Sequence, residues 1–177
     1  MDEIFRRIVT WFAPILCFTM EEAWISRFPG EEESVHLQDF LPTPKSWTNA
    51  ELAEKWKRVR DLRRVVTGAL EIARAEKKIG SSLEAMPFII LEKESDAEVL
   101  ASIPFEEIVI TSGVKIEAVP VGGGGDFSLP DVPGVAVRFE PARGGKCERC
   151  WRVLPEVARR PAHICERCSD AVEQVPA

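Results

Sequence analysis

The sequence predicts an α+β protein in three parts: helices in residues 1–80, a small mixed α/β domain in residues 81–143 and a four-cysteine module in residues 144–177. Apolar residues recur with a helical period in the first part and alternate with a period of two in the second. The third part contains the tetrapeptide Cys-Glu-Arg-Cys twice. A chain of 177 residues with 45% hydrophobic residues can form one or two such small folded domains.

The first segment, residues 3–28, is predicted to be a helix that is interrupted at Pro14. Thr19 and Glu22 have the spacing of a capping box, which predicts that the helix restarts at Thr19. Most residues in 4–18 are apolar, so a helix here has almost no polar face and is expected to be buried all round. The segment therefore indicates a place inside a larger helical bundle, and a small internal core is the alternative interpretation.

The longest predicted helix covers about residues 49–78. Apolar steps of three and four residues predict its core-facing stripe, which is Leu52, Trp56, Val59, Leu62, Val66, Ala69 and Ala73. Its other surface is basic and carries Lys55, Lys57, Arg58, Arg60, Arg63, Arg64 and Arg74. Most basic helix faces are only solvated. The one-sided charge also fits a face turned toward phosphates, and both interpretations stay open.

The middle segment is predicted to contain short strands and one short helix. The strands are expected at residues 86–92, 108–112, 115–121 and 135–140, and the helix at residues 96–102. Four glycines at residues 122–125 resemble a phosphate loop only superficially, because no Lys-Ser/Thr pair and no helix follow them. This glycine run is therefore predicted to be a hairpin connection.

The two cysteine pairs predict a metal site. Two C-x2-C turns, fourteen residues apart, can close a tetrahedron around one Zn²⁺ at about 2.3 Å from each sulfur. The predicted ligands are Cys147, Cys150, Cys165 and Cys168, and a zinc ion with four protein ligands is structural. Disulfides or a redox dithiol are the alternative, but they need an oxidising compartment or a single pair at the start of a helix. Cys17 is expected to be buried and uninvolved.

The charge distribution points to a polyanionic partner. The net charge is −6, yet residues 51–80 and residues 138–168 each carry +4, on either side of an acidic stretch. Trp151 follows Cys150 directly, between Arg149 and Arg152. An aromatic side chain among arginines on a small zinc module can stack on an unpaired base and hold its phosphates. Packing of Trp151 over the metal site is the other interpretation.

Compartment signals are few. No apolar stretch reaches the roughly 18–20 residues that cross a bilayer, and no secretory leader is recognisable. Together with reduced cysteines, this predicts a cytoplasmic protein.

Four ordered motifs carry a resemblance to a known family. They are residues 13–24 (APILCFTMEEAW), residues 34–37 (SVHL), residues 74–85 (RAEKKIGSSLEA) and the terminal KCERCW with CERC. The first two resemble segments of the anticodon-binding helical bundle of class I aminoacyl-tRNA synthetases for branched aliphatic amino acids. The third is similar to the element that joins bundle to tail in the isoleucyl enzymes, and the fourth resembles the zinc finger of their bacterial type.

The resemblance implies a parent enzyme that activates isoleucine with ATP and esterifies it to its tRNA. The family's nucleotide-binding signatures, H-I-G-H and K-M-S-K-S, are absent here, and there is no room for its editing domain. The chain is therefore expected to be the C-terminal part of the synthetase, with no catalytic residue of its own. Its expected partners are isoleucine tRNA at the anticodon stem-loop and the rest of the synthetase chain, with neither DNA nor a membrane.

The same resemblance places Arg149 and Trp151 at the anticodon loop. Further tRNA contacts are predicted for Arg152, Lys57, Arg60, Arg64 and Arg74.

Two other classes of protein are alternatives to the synthetase. A DNA-repair glycosylase can carry a similar four-cysteine finger, but such enzymes begin with a catalytic proline after Met1, where this chain has Asp2. A zinc-stabilised protein-interaction module leaves the basic helix and Trp151 without a role.

Overall fold

The computed structural model describes residues 1–30, 34–119, 126–161 and 163–174. The chain divides into two compact units, Met1–Asn49 and Ala50–Ala177. The predicted glycine hairpin at residues 122–125 lies outside the described residues. The domain boundaries predicted at residues 80 and 143 stay a prediction. No helix among the described residues is long and apolar enough to span a membrane.

The first unit contains two helices, α1 (Asp2–Phe12) and α2 (Cys17–Arg27), followed by single 3₁₀ turns at Val35–Leu37 and Lys45–Trp47. The break at Pro14 is confirmed. The predicted capping box is wrong, because α2 already begins at Cys17, and Leu16 precedes it without a side-chain cap. The helix resumes as soon as the chain has passed the proline turn, in which the Leu16 amide donates to the Phe12 carbonyl at 2.8 Å.

The core of this unit is small. It consists of Val9, Ala13, Trp24 and Val35, with Phe5, Met20 and Phe28 partly buried against it. Arg7 is also buried; it donates to the Pro42 carbonyl at 2.8 Å and lies 4.8 Å from the Trp47 ring centroid. These contacts hold the segment that follows α2 against α1.

One side of α1 is apolar and exposed, so the first unit by itself does not bury this segment all round, and its place inside a larger bundle stays a prediction. Ile4, Ile8, Trp11 and Phe12 have the spacing of a single helix face, and each is 45–51% exposed. The surface continues through Ile15, Leu16 and Phe18, of which Phe18 is 91% exposed. The prediction that Cys17 is buried is wrong, since this thiol is exposed. The exposed residues Ile4, Ile8, Trp11, Phe12, Ile15, Leu16 and Phe18 together form what we call the N-terminal apolar surface.

The second unit is built on helix α3 (Ala50–Ala75) and a four-stranded sheet. The strands are β1 (Phe88–Leu91), β2 (Lys115–Ala118), β3 (Phe127–Leu129) and β4 (Val132–Arg138), in the spatial order β2-β1-β4-β3. β1 pairs with β2 in parallel and with β4 in antiparallel orientation, and β3 pairs with β4 in antiparallel orientation. Two short helices, α4 (Glu94–Ala101) and α5 (Phe105–Ile108), connect β1 to β2. The predicted α+β class is confirmed.

Helix α3 packs on strands β3 and β4 and supplies much of the core. Its buried residues are Val59, Leu62, Val65, Val66, Ala69, Leu70 and Ala73. The predicted stripe is therefore right from Val59 onward, but Leu52 and Trp56 are exposed. Gly68 permits the close approach of the sheet, since a Cβ there would lie 2.6 Å from the Phe127 ring.

The strand predicted at residues 108–112 is wrong. Helix α5 ends at Ile108, and Ile110 has a left-handed φ of 57°. The Thr111 amide then donates to the Glu106 carbonyl at 2.9 Å, which is the six-to-one bond of a Schellman helix end. The alternation of Ile108 and Ile110 imitates a strand, but the backbone is a helix terminus.

A partly buried ion pair fastens α4 to α3. Arg58 Nε donates to Asp96 Oδ1 at 2.9 Å and a second bond joins Arg58 Nη2 to Oδ2, while the Asp96 side chain is 8% exposed. The fork geometry satisfies both carboxylate oxygens in a site where water reaches little. Arg58 is therefore committed to the fold and is not a free cation.

We expect Arg58→Met to destabilise the second unit by about 3 kcal/mol, because Asp96 is left charged and buried. Replacing both partners, as Arg58→Met with Asp96→Leu, should recover most of that loss. Arg64→Met is the matched control, because the Arg64–Asp131 pair at 2.7 Å is exposed on both sides. Urea unfolding measures all three variants. Equal midpoints for the Arg58 and Arg64 variants would contradict the assigned role.

Candidate zinc site and nucleic-acid interface

The first cysteine pair lies in the turn between two short strands, β5 (Gly145–Lys146) and β6 (Val153–Leu154). The Cys147 amide donates to the Arg152 carbonyl and the Trp151 amide to the Cys147 carbonyl, each at 2.9 Å. Gly144 allows the chain to pass close to β6 just before β5 begins. Its φ is 134°, and a Cβ there would lie 2.2 Å from the backbone of Leu154.

The second cysteine pair begins helix α6 (Glu166–Glu173), with Cys165 at its N-cap position. The Cys165 amide donates to Cys147 Sγ at 3.3 Å, which joins the two turns. Val157 is buried with the cysteines, and Leu154 and Ile164 pack against them. This apolar group is too small to hold the module together without a further constraint.

The four sulfurs are arranged as a tetrahedral metal requires. The Sγ atoms of Cys147, Cys150, Cys165 and Cys168 all lie within 4.8 Å of one another. Cys150 Sγ and Cys165 Sγ are 3.7 Å apart. A Zn–S bond of about 2.3 Å implies an S···S separation of about 3.8 Å in a regular tetrahedron. The predicted ligand set is therefore brought together.

The protonation chemistry of the thiols fits the same ion. Burial disfavours the Cys147 thiolate, but three backbone amides donate to its sulfur and lower its pKa to about 6. Burial raises the pKa of Cys150, and it raises the pKa of Cys165 to about 12. A divalent cation bound to the sulfurs supplies the positive charge that favours four thiolates at neutral pH. The four cysteines thus form a closed, structural zinc site, and the cation's role is to cross-link the fold.

Trp151 lies on the outside of this site. Its φ is 66°, a left-handed conformation that favours glycine, and its side chain is 61% exposed. It is not part of the small core formed by Val157, Leu154 and Ile164. Arg149, on the same turn, is exposed as well, and its Nη1 lies 3.7 Å from Cys168 Sγ. The structure therefore brings Arg149 and Trp151 together on one exposed turn.

Arg152 points in another direction. Its Nη2 donates to the Ser112 carbonyl at 2.8 Å, and its Nε is buried without a hydrogen-bond partner among the described residues. The Ser112 hydroxyl accepts from the Val153 amide at 2.6 Å and donates to the Leu83 carbonyl. Arg152 and Ser112 therefore join the zinc module to the α/β part of the unit. Nothing in the sequence signals the role of Ser112, because its partners are remote along the chain.

The cations predicted to contact tRNA on α3 differ in whether carboxylates of the chain already pair with them. Arg64 bonds Asp131 and Asp61, and Arg74 bonds Glu71. Lys57 makes a single long contact with Glu54, at 3.9 Å, among the residues that the structure describes. Arg60 is exposed and has no ion pair or hydrogen bond within the described ranges. Lys57, Arg60 and Arg64 occupy the side of α3 opposite its buried residues, whereas Arg74 lies toward one flank.

The chain matches two known families in its parts. Residues 1–90 match the family described as the anticodon-binding domain of tRNA ligases, and residues 144–171 match the zinc finger found in FPG and IleRS. The chain therefore belongs to the family of tRNA ligase anticodon-binding domains.

Curated relatives resemble the chain over nearly its whole length. The isoleucine–tRNA ligase of Ruegeria pomeroyi is 50% identical over 173 residues, which are 97% of this chain and 18% of the relative. The isoleucine–tRNA ligase of Brucella abortus is 51% identical over 161 residues, 90% of this chain and 16% of the relative. That of Bartonella henselae is 49% identical over 162 residues, with coverage of 91% and 16%. The chain thus spans less than a fifth of the length of these relatives.

Proposed function

We propose that the chain is the anticodon-binding, C-terminal part of an isoleucine–tRNA ligase. In the parent enzyme, isoleucine is activated with ATP and esterified to its tRNA, and this part binds isoleucine tRNA at the anticodon stem-loop. The chain itself binds and does not catalyse, and the protein works in the cytoplasm. The identity of about 50% to isoleucine–tRNA ligases along nearly the whole chain supports the choice of tRNA.

The observation that carries the proposal is the exposed Trp151 on the zinc turn. A left-handed backbone at a non-glycine residue costs about 1–3 kcal/mol, and an indole that is 61% exposed offsets only part of this cost through burial within the chain. A base stacked on the indole recovers that cost. Arg149 beside it supplies the positive charge for the adjoining phosphate.

Helix α3 supplies a second, sequence-independent contact. Lys57, Arg60 and Arg64 lie on its exposed side, and we assign these cations to phosphates, which carry no sequence information. The two contacts therefore differ in kind: α3 contributes affinity for any tRNA, and the zinc turn contributes discrimination.

The N-terminal apolar surface supports contact with the rest of the synthetase. Ile4, Ile8, Trp11 and Phe12 form a continuous exposed stripe, and such stripes in soluble proteins mark interfaces. A preceding part of the same helical bundle is the proposed occupant, since residues 1–90 match an anticodon-binding domain.

The zinc finger alone does not separate the candidate functions, because its family includes FPG as well as IleRS. The match of residues 1–90 disfavours a glycosylase. Three assays on the purified zinc-loaded chain test the proposal: binding of isoleucine tRNA, activation of isoleucine with ATP, and base excision from DNA. We expect only the first to be positive. Base excision would assign the chain to the glycosylases, and failure of all three would favour a protein-interaction module.

The phosphate contacts predict a characteristic salt effect. Arg60→Ala should weaken isoleucine tRNA and a tRNA with an altered anticodon by the same factor, because a phosphate contact carries no sequence information. The slope of log K against log salt concentration should become shallower by about 0.7–0.9, because the variant neutralises one phosphate fewer. Filter binding at several salt concentrations measures both quantities.

Arg64→Ala is the comparison variant, since its guanidinium already bonds two carboxylates. A smaller change in slope is expected for it. A selective loss of affinity for one tRNA in the Arg60 variant would mean that this residue contacts a base.

A further inference from the structure

Ile110, like Trp151, is a non-glycine residue with a left-handed backbone conformation. Ile110 occupies the C′ position after α5, where glycine is usual, with a φ of 57°. A β-branched residue in this conformation is a genuine outlier, and its side chain is 54% exposed. The Schellman bond of Thr111 explains the left-handed backbone at this position, but it does not require a β-branched side chain, and the exposed apolar area of Ile110 is available for a contact outside the chain.

The surroundings of Ile110 fit a nucleotide. It borders a groove of about 110 Å³ between α3 and the turn after α5, which Arg63, Thr67, Glu71, Arg74 and Ser82 also line. Glu71 is compensated by Arg74. Arg63 donates through Nε to the Ile108 carbonyl at 3.1 Å, and it forms no ion pair within the part of the chain described. The groove therefore keeps a net positive charge beside an apolar edge, the combination that binds a base and its phosphate.

The groove and the zinc turn are connected by hydrogen bonds of Ser112. Ser112 lies two residues after Ile110, and it bonds both Arg152 and Val153, which directly follow Trp151. Following this bonded path, the Cα atoms of Ile110 and Trp151 are at most about 20 Å apart. A single-stranded loop that contacts one of them can therefore reach the other.

We propose that Ile110 is a second RNA-contacting residue, and that with Arg63 and Arg74 it binds an unpaired nucleotide of the tRNA that Trp151 contacts. The proposal rests on the proposed function and extends it from the zinc turn to the groove on α3. The Ile110 side chain packs on the face of a base, and the Arg63 guanidinium donates to the neighbouring phosphate. Ser112 and Arg152 fix the spacing between the two contacts.

The conformation of Ile110 offers a variant that separates RNA contact from folding. Ile110→Gly removes the side chain and also relieves the left-handed strain, so the chain should unfold at a temperature about 2–4 °C higher. Binding of isoleucine tRNA should nevertheless weaken by about tenfold, because no apolar side chain then packs on the base. Ile72→Ala is the matched control, since Ile72 is 46% exposed on α3 but does not line this groove. It should leave binding unchanged.

Filter binding and thermal unfolding of the 177-residue chain decide between the outcomes. Weaker binding of Ile110→Gly with retained or higher stability supports the proposal. If Trp151→Ala weakens binding and Ile110→Gly does not, the proposed function stands, the inference is overturned and the groove is left to a protein partner. Reduced stability together with reduced binding would assign Ile110 to packing and also overturn it. If the wild-type chain binds no tRNA, the proposed function itself fails.

Discussion

Removal of zinc is expected to unfold residues 144–172 while helix α3 stays folded. Within the described residues of the module, the apolar core consists of Val157, Leu154, Ile164 and the cysteines themselves, so the metal supplies most of its stability. Zinc binding to such fingers contributes about 10–16 kcal/mol at neutral pH. The core of the main sheet, in contrast, is built from α3, β1 and β4 and does not involve the cysteines. Amide NMR spectra before and after chelation, with metal analysis, measure the effect.

Two cysteine variants give a matched comparison. Cys165→Ser removes one ligand and should cause the same selective unfolding, whereas Cys17→Ser should retain one zinc and a native spectrum, because Cys17 lies outside the ligand set. Acidification should act in the same direction as chelation, since protons compete with zinc for thiolates. A chain that contains no zinc when purified, or a ligand shell that includes His163, would contradict the assignment.

Trp151→Ala is expected to weaken binding of isoleucine tRNA by about ten- to a hundredfold, which corresponds to the loss of one stacked base. Zinc should be retained, because the Trp151 amide, which alanine keeps, makes its bond in the metal turn, and the Trp151 side chain does not belong to the apolar cluster described around the cysteines. An isoleucine tRNA with an altered anticodon should bind weakly to the wild-type chain and be much less affected by the substitution. Filter binding with both tRNAs measures this.

Two further variants guard against a folding artefact. Trp151→Gly suits the backbone φ of 66° and should fold at least as well as the wild type, yet bind as weakly as Trp151→Ala. Trp47→Ala removes a half-exposed indole in the first unit, next to Arg7, and should not change binding. Equal losses of affinity for both tRNAs on Trp151→Ala would assign Trp151 to the module's own packing. Unchanged affinity would remove it from the interface.

The sequence predicts those features whose geometry is local. The spacing of the cysteines determines where the sulfurs meet, and the break at Pro14 follows from a missing backbone donor. The periodicity of α3 is also local, and it identifies the buried residues from Val59 onward. It fails at Leu52 and Trp56 because a periodic pattern predicts a face, and only tertiary structure decides whether anything covers it. At residues 108–112, the alternation of Ile108 and Ile110 predicted a strand, whereas the backbone forms a helix end there.

The functional surface is less predictable because it depends on remote carboxylates and carbonyls. In the sequence, Arg58 cannot be told apart from the other cations on α3, but in the structure it forms a partly buried ion pair with Asp96. Arg152 stands beside Trp151 in sequence, yet it bonds Ser112. Arg60 and Lys57 keep most of their charge free, and this difference from Arg58 appears only when the partners are placed in space.

Whether the zinc turn distinguishes the anticodon of isoleucine tRNA is decided by one binding comparison. The zinc-loaded chain is titrated with two isoleucine tRNAs that differ only in the anticodon, at one salt concentration. We predict that the native anticodon binds more tightly by about tenfold or more, the value of one stacked base. Equal affinity for the two tRNAs would contradict this prediction.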